Sequence, residues 1–240
     1  MNNKPTYVLI HSPLVGTLTW KLVAEQIRQR GFDVIVPMLK DSPDSKEPYW
    51  KQHAESISRE LRPIPNDRAL ILVAHSGAGP LLPVIREALP NPIYAYVFVD
   101  AGIPVKEATR LEMMKSEDSN WAQEFQVYLE GGGRFPNWSS EDLSEILPDA
   151  NVRQELVADL RPRALDFFKE PIPGFAGWPD APCVYILFSP PYRRAEVQAR
   201  QMGWQTYTLE AGHFHMFVDP QAVTNLIVNA AQELPSKPYG

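Results

Sequence analysis

One segment, Leu70 to Pro80 (LILVAHSGAGP), constrains the fold of this 240-residue chain more than any other. It begins with an aliphatic and β-branched run without polar alternation, which is typical of a strand buried on both faces of a sheet. The run ends at His75 and Ser76, and the small residues that follow allow a sharp turn into a helix. Such a turn raises one side chain above the end of the strand. In this chain that side chain belongs to Ser76.

The residues around Ser76 approximate the G-x-S-x-G pattern of a nucleophilic serine. Ala74 and Ala78 occupy the two outer glycine positions. Alanine is small enough to preserve the close backbone approach that the pattern requires, so the departure is mild. The segment therefore favours Ser76 as a nucleophile. An inert serine in a glycine-rich turn fits the same residues, and the rest of the chain must decide between the two.

The remaining sequence alternates short apolar runs with amphipathic helical segments. Strand, helix and strand of these lengths imply parallel pairing through right-handed crossovers. The pattern predicts an α/β fold with a mostly parallel, doubly wound sheet. The predicted strands cover Thr6–Ile10, Asp33–Pro37, the Leu70 run, Tyr94–Asp100, Cys183–Phe188 and Gln205–Leu209. The predicted helices cover Trp20–Arg30, Tyr49–Leu61, a segment through Leu81 and Leu89, Ala195–Met202 and Val218–Glu233.

The strand pattern is interrupted between residues 105 and 180. This part shows no evident strand, and glycines and prolines separate its amphipathic pieces. We predict a core of residues 1–104 and 181–240, with residues 105–180 inserted as a helical lid. The predicted lid helices are Trp121–Leu129, Glu141–Leu147 and Val152–Leu160.

Composition limits the partners and the compartment. The net charge is −6 and no Lys/Arg cluster forms a basic stripe, which argues against a nucleic-acid partner. The first residues, MNNKPTYVLIHSPLV, lack the apolar run of a signal peptide or a membrane span. Cys183 is the only cysteine, which excludes an internal disulfide and a cysteine-based metal cluster. We expect a cytoplasmic protein that uses no cofactor or metal and binds a small molecule; the oligomeric state stays open.

Polar residues follow several of the predicted strands at their carboxyl ends. Because these ends meet at one edge of an open parallel sheet, their loops converge there. A hydroxyl nucleophile needs a base within hydrogen-bond reach and a third group that orients the base. The loops together supply all three kinds of group. The candidates are His11, Ser12, Pro13, Leu14, Ser76, Gly77, Asp100, His213 and His215.

Three segments in order resemble the α/β-hydrolases, specifically lid-bearing serine esterases, and the resemblance spans nearly the whole chain. HSPLVGTLTW is similar to the HGAWxGAWxW loop of the plant esterase and hydroxynitrile lyase branch, and AHSGAG is similar to its nucleophile turn. AGHFHMFVDPQAV resembles the terminal catalytic loop, with Gly212 before His213 and Pro220 opening the last helix. The resemblance implies Ser76 as the nucleophile and His213 as the base.

The other histidines receive different expectations. His215 is a candidate for the lining of the substrate pocket or for an exposed position. His11 ends the first strand, where the family usually holds a hydrogen-bonded structural histidine. His75 is expected to pack beside the nucleophile, and His53 to lie on the surface.

The position of the acid departs from the commonest family pattern. The family most often places the acid after the strand that corresponds to Cys183–Phe188, but the following loop, SPPYRR, contains no carboxylate. Some branches carry the acid after the preceding strand, where this chain has Asp100. We therefore favour Asp100 as the acid, although aspartate also occurs there in relatives without a catalytic role. A dyad of Ser76 and His213 oriented by Ser189 is the alternative.

The predicted oxyanion hole departs as well. The N–H of Gly77 supplies one donor. The family's second donor comes from the position of Pro13, which has no N–H. The N–H of Leu14 or the hydroxyl of Ser12 would have to replace it. The chain therefore has either a shifted oxyanion hole or a chemistry that does not need a complete one.

These features favour a cofactor-free serine hydrolase that cleaves a small carboxylic ester or thioester through an acyl-enzyme on Ser76. Aromatic lid residues favour an apolar or aromatic substrate. Two alternatives stay open: a lyase or cyclase that uses His213 as its base, and a ligand-binding protein without catalysis. The expected substrate-binding residues are Ser12, Pro13, Trp138, Phe168 and His215.

Overall fold

The structure, a computed structural model, describes residues 4–42 and 44–234. Six strands form one sheet in the order β2-β1-β3-β4-β5-β6, and every neighbouring pair is parallel. The predicted mostly parallel sheet is therefore confirmed. The strands are β1 (Thr6–Ile10), β2 (Val34–Ile35), β3 (Leu70–His75), β4 (Ile93–Val99), β5 (Cys183–Leu187) and β6 (Gln205–Thr208).

Helices cover both faces of the sheet, which makes it doubly wound. Side chains of β3 alternate between the faces: Ile71 and Val73 join one apolar cluster, whereas Leu72 and Ala74 join the other. The first cluster includes residues of α1 and α10, and the second includes residues of α2, α3 and α8. The helices are α1 (Lys21–Gln29), α2 (Tyr49–Leu61), α3 (Leu82–Glu87), α4 (Arg110–Glu117), α5 (Ser119–Glu130), α6 (Ala150–Ala158), α7 (Leu165–Lys169), α8 (Arg193–Gln201), α9 (His215–Val218) and α10 (Pro220–Gln232).

Two predicted elements are shorter or broken in the structure. The second strand is only Val34–Ile35, because it lies at the edge of the sheet and Pro37 cannot donate a hydrogen bond to the ladder. The predicted helix Val218–Glu233 corresponds to α10, which begins at Pro220; Val218 instead ends the short helix α9, and Asp219 lies between the two. The Asp219 carboxylate accepts the N–H of Ala222 at 2.8 Å and so caps the start of α10.

Four helices, α4 to α7, lie between β4 and β5. The predicted helix Glu141–Leu147 is wrong: these residues form turns, and Pro148 disfavours the helical conformation at Leu147 and so prevents extension. The region has its own small apolar cluster, and its role as a lid stays a prediction. Buried members of that cluster are Leu111, Phe125, Leu129, Phe167 and Phe168.

By the rule for open parallel sheets, the strand order predicts a crevice at the carboxyl ends of β1 and β3. From β1 the chain crosses over to β2 on one side, while β3 pairs with the other side of β1. The loops that leave β1 and β3 therefore diverge, and ligands of open parallel sheets bind where such loops separate. Among the described residues, no helix is long and apolar enough to cross a membrane.

Two buried histidines support the loops around this crevice. His11 donates from Nδ1 to the Ser12 carbonyl at 2.8 Å, and its Nε2 accepts the Leu39 N–H at 3.1 Å. Burial lowers the pKa of His11 to about 4. The surface position expected for His53 is wrong, because Phe167 of α7 covers it and its Nε2 donates to Asp41 at 2.8 Å. Burial also lowers the pKa of His53.

The turn after β3 predicts a strong sensitivity to substitution at Gly79. A Cβ atom there would lie 2.1 Å from the backbone oxygen of Gly102. Relief of this clash would require a shift of the backbone. We expect Gly79→Ala to lower the free energy of unfolding by about 2 kcal/mol or more, the range of core overpacking. Gly131→Ala is the matched control, because its Cβ would meet no atom closer than 3.4 Å. Urea unfolding measures both, and equal midpoints for the two variants would contradict the expectation.

Buried neutral histidines also predict that the fold weakens in mild acid. The unfolded state binds a proton at His11 near pH 6.5, whereas the folded state does so only near pH 4. Above about pH 6.5 His11 therefore makes its full contribution to the free energy of unfolding. As the pH decreases toward 4, that contribution falls, by about 3 kcal/mol for His11 alone. Urea unfolding at several pH values tests this. His11→Asn should reduce the slope, and identical slopes would contradict the assignment.

Candidate active site

Ser76 lies at the tip of the turn between β3 and a short 3-10 helix, Ser76–Leu81. Its φ of +57° is a conformation that residues other than glycine rarely adopt. The backbone fixes this angle: the Gly102 N–H donates to the Ser76 carbonyl at 3.2 Å. Strain of this kind is common where a side chain must be presented to a ligand. The hydroxyl stands at the carboxyl edge of the sheet, with the residue 8% exposed.

His213 and Asp100 approach the same edge from neighbouring loops. His213 follows β6 and donates from Nδ1 to Oδ2 of Asp100 at 2.7 Å. Asp100 follows β4 directly, has a φ of +44° and is fully buried. This bond fixes the orientation of the imidazole ring. A base oriented by a buried carboxylate is the arrangement that activates a serine hydroxyl.

The Asp100 carboxylate is held as an anion by hydrogen bonds. Burial by itself raises its pKa, but donors from His213 and Ser189 outweigh burial, so the pKa lies below the ordinary value. Oδ1 accepts the N–H groups of Phe188 and Ser189 at 2.9 Å each, and Oδ2 accepts the Ser189 hydroxyl at 2.5 Å. Ser189, the alternative partner of His213 in the sequence analysis, therefore bonds Asp100.

His75 supports the loop that carries His213. It donates from Nε2 to the His213 carbonyl at 3.0 Å, and the two ring centroids are 4.4 Å apart. Burial lowers the pKa of His75 well below the ordinary value. His75 is therefore neutral beside His213.

Tyr192 contacts both Ser76 and His213, and the sequence analysis did not identify it. Its hydroxyl is 3.0 Å from Ser76 Oγ, and its ring stacks on the His213 ring with centroids 5.0 Å apart and planes 7° apart. Within residues 4–42 and 44–234, no hydrogen bond joins Ser76 Oγ to His213. The only sequence signal for Tyr192 is its place in the loop after β5.

The loop after β1 packs directly against Gly77. A Cβ on Gly77 would lie 3.2 Å from Ser12 Oγ and 3.6 Å from Cδ of Pro13. The Leu14 N–H, a candidate oxyanion donor, donates to Ser12 Oγ at 3.3 Å. The Ser12 hydroxyl accepts in that bond and retains its own proton as a donor. The structure thus places the Ser12 O–H beside the Gly77 backbone, where Pro13 has no N–H to offer.

Two arginines of the 105–180 segment form hydrogen bonds with backbone carbonyls of the loop after β1. The guanidinium of Arg163 donates to the Pro13 carbonyl at 3.1 Å and 3.3 Å, and it also bonds both carboxylate oxygens of Asp41. The Arg161 N–H donates to the Leu14 carbonyl at 2.9 Å. Burial raises the pKa of Asp41, but His53 and Arg163 lower it far more, so the carboxylate is ionised. Arg163 was not apparent from the sequence, because its partners are distant in the chain.

The expected pocket residues occupy different surroundings. Trp138 is half-buried and its ring lies 5.8 Å from that of Phe214, the neighbour of His213. Phe168 is fully buried in the apolar cluster of the 105–180 segment, against which the Leu14 side chain also packs. His215 begins α9, with its ring 6.1 Å from Phe188. Trp138 therefore contacts the residue that follows His213 in the chain.

The side chains at this edge support acid-base and nucleophilic chemistry. The candidate groups are the Ser76 hydroxyl and the His213 imidazole, whose orientation the Asp100 carboxylate fixes. In the described part of the chain, no group of three or more His, Cys, Asp or Glu side chains could hold a metal ion.

Comparison with known proteins gives similarities along the whole chain. Methylesterase 1 of Arabidopsis thaliana is 24% identical over 256 aligned residues, which cover 96% of this chain and 97% of the relative. A solved extracellular α/β-hydrolase from a Paenibacillus species superposes with a TM-score of 0.76 at 17% identity, over 95% of this chain and 99% of that one. It is described as sharing structural and functional homology with tobacco salicylic acid binding protein 2.

A third similarity is to tomato methylketone synthase I in complex with 2-tridecanone. Its TM-score is 0.73 at 16% identity, over 97% of this chain and 99% of that one. At these identities the solved structures share the fold of this protein. The family model described as "Alpha/beta hydrolase family" matches residues 11–226. With that match spanning most of its length, and with the serine, histidine and aspartate assembled at one sheet edge, this chain belongs to the alpha/beta hydrolase family.

Proposed function

We propose that this protein is a cofactor-free serine hydrolase that cleaves a small carboxylic ester through an acyl-enzyme on Ser76. One observation carries the proposal: the 2.7 Å bond from His213 to the buried Asp100, beside a serine raised on a positive-φ turn. The membership of an α/β-hydrolase family with esterase-named relatives supports hydrolysis as the reaction class.

The proposed reaction begins when Ser76 Oγ turns toward His213. Oγ attacks the ester carbonyl carbon, its proton passes to His213 Nε2, and the carbonyl electron pair moves to the oxygen. The Gly77 N–H and the Ser12 O–H stabilise this oxyanion, with Leu14 N–H holding the Ser12 hydroxyl in place. Collapse expels the alcohol, which takes the proton from Nε2. Water then attacks the acyl carbon and gives its proton to His213 Nε2. The bond to Ser76 Oγ breaks, Nε2 returns the proton to Oγ, and the carboxylic acid leaves.

The substrate class follows from the surroundings of the serine and from the relatives. Trp138 is half-buried and packs against Phe214, the residue after His213, and an aromatic side chain in this place suits an apolar or aromatic acyl group. Methylesterase 1 bears a name that denotes cleavage of methyl esters. Simple alkyl esters of a small apolar or aromatic acid are therefore the substrates to test first. Thioesters of the same acids are the second class.

A non-hydrolytic reaction is the second candidate. It is favoured by Pro13, which removes one family oxyanion donor, and by similarity to a protein named methylketone synthase. In this case His213 would act as a base on a bound ketone or hydroxyl compound, and Ser76 would form no covalent intermediate.

Labelling with a fluorophosphonate probe tests the nucleophile. We expect one probe per chain by intact mass, because an oriented base activates the Ser76 hydroxyl. Ser76→Ala should abolish labelling, while Ser116→Ala, a change on the exposed face of α4, should label as the wild type does. If folded wild type neither accepts the probe nor hydrolyses the alkyl esters and thioesters named above, the serine hydrolase activity is excluded. The lyase or ligand-binding alternatives would then be favoured.

Asp100→Asn tests the acid. An amide in place of the carboxylate cannot hold the His213 tautomer that leaves Nε2 unprotonated, so we expect kcat to fall by up to about 10⁴-fold. Asp67→Asn, on the exposed surface, is the control for loss of one negative charge. Steady-state ester hydrolysis is the measurement. A fall of less than about 10-fold would remove Asp100 from the triad.

A further inference from the structure

The hydroxyl of Tyr192 forms a hydrogen bond with Ser76 Oγ, and the mechanism above does not use it. Its 3.0 Å hydrogen bond to Oγ places it within reach of any atom bonded to the carbon that Ser76 attacks. The ring is half-buried and lies parallel to that of His213. A phenol in this position donates one hydrogen bond and is held beside the base.

The sheet order shows from which side Tyr192 enters the site. The oxyanion loop follows β1, on one side of β3, whereas Tyr192 and His213 follow β5 and β6 on the other side. In serine hydrolysis the oxyanion points toward the backbone donors, and the leaving group departs toward the base that protonates it. Tyr192 therefore stands on the leaving-group side.

The anchoring of Tyr192 is connected to the catalytic acid. Its N–H donates to the Ser189 carbonyl at 3.2 Å, and both the N–H and the hydroxyl of Ser189 donate to Asp100. Pro190 and Pro191 restrict the backbone between these two residues. Asp100 thus positions His213 by direct contact and Tyr192 through the Ser189 loop.

We propose that Tyr192 is a further catalytic residue, whose hydroxyl donates a hydrogen bond to the leaving-group oxygen of the ester. This inference rests on the proposed serine hydrolase function. In the resting enzyme the hydroxyl bonds Ser76 Oγ. When substrate binds, Oγ turns to His213 Nε2, and the Tyr192 O–H turns to the alkoxy oxygen on the reacting carbon.

The step balances without a change in the protonation of Tyr192. As the tetrahedral intermediate collapses, the bond from carbon to the alkoxy oxygen breaks and its electron pair stays on that oxygen. The proton on His213 Nε2 moves to the same oxygen, and the alcohol leaves. Tyr192 keeps its proton and stabilises the negative charge that builds on the oxygen during bond breaking. A hydrogen bond to a group with developing charge is worth more than one to a neutral group.

This role predicts a dependence on the leaving group. A simple alkoxide carries its charge on one oxygen, so it needs a donor, whereas p-nitrophenolate spreads its charge over a ring and needs little help. The assay compares kcat/KM for the methyl and p-nitrophenyl esters of benzoic acid, because kcat/KM reports the steps up to release of the first product. For Tyr192→Phe we expect a fall of about 10- to 100-fold with the methyl ester. With the p-nitrophenyl ester we expect a change below about threefold.

Tyr207→Phe is the matched control, because it removes a tyrosine hydroxyl that bonds Glu233 at the protein surface. It should leave both esters unaffected, and thermal unfolding should show that Tyr192→Phe is folded. An equal fall for both esters would overturn the proposal in favour of a structural or oxyanion role. Unchanged or raised activity would overturn it too, because Tyr192 would then only block access to Ser76. If the wild type neither hydrolyses these esters nor accepts the fluorophosphonate, the hydrolase function itself fails and this inference falls with it.

Discussion

The site depends on the buried carboxylate of Asp100, which joins the ends of three strands. Asp100 ends β4, receives N–H and O–H donors from the loop after β5, and accepts Nδ1–H from His213 after β6. A carboxylate taken out of water is costly unless its oxygens are fully bonded, and here four donors supply those bonds. The same bonds that keep the anion stable also fix the imidazole, so local stability and the geometry of the candidate site have one origin.

The opposite side of Ser76 is organised by contacts that are remote in sequence. Arg163 spans from Asp41 to the Pro13 carbonyl, and His11 bonds the Ser12 carbonyl from below. These contacts hold the loop beside Gly77 although proline has replaced the usual donor. An arginine of the 105–180 segment therefore contacts the loop that carries Ser12.

The sequence pattern predicted correctly those elements whose conformation depends on residues close by in the chain. The apolar run before Ser76 indicated a buried strand and a turn, and the structure contains both. The second strand is shorter than predicted because it lies at the sheet edge and Pro37 follows it, and the predicted Glu141–Leu147 helix is wrong because Pro148 limits that segment to turns. His53 was expected on the surface for a related reason: the ring that covers it, Phe167, comes from another segment more than one hundred residues away.

By itself, the sequence determined the alternation of strands and helices, the parallel sheet, and the residues at strand ends from which a nucleophile, a base and an acid could come. These follow from apolar periodicity and from the convergence of loops at one edge of a parallel sheet. Only the tertiary structure decided that Ser189 bonds Asp100, that Tyr192 bonds Ser76, and that Arg163 holds Pro13. Each of these contacts depends on the distance between loops that the sheet order brings together, and spacing along the chain does not encode that distance.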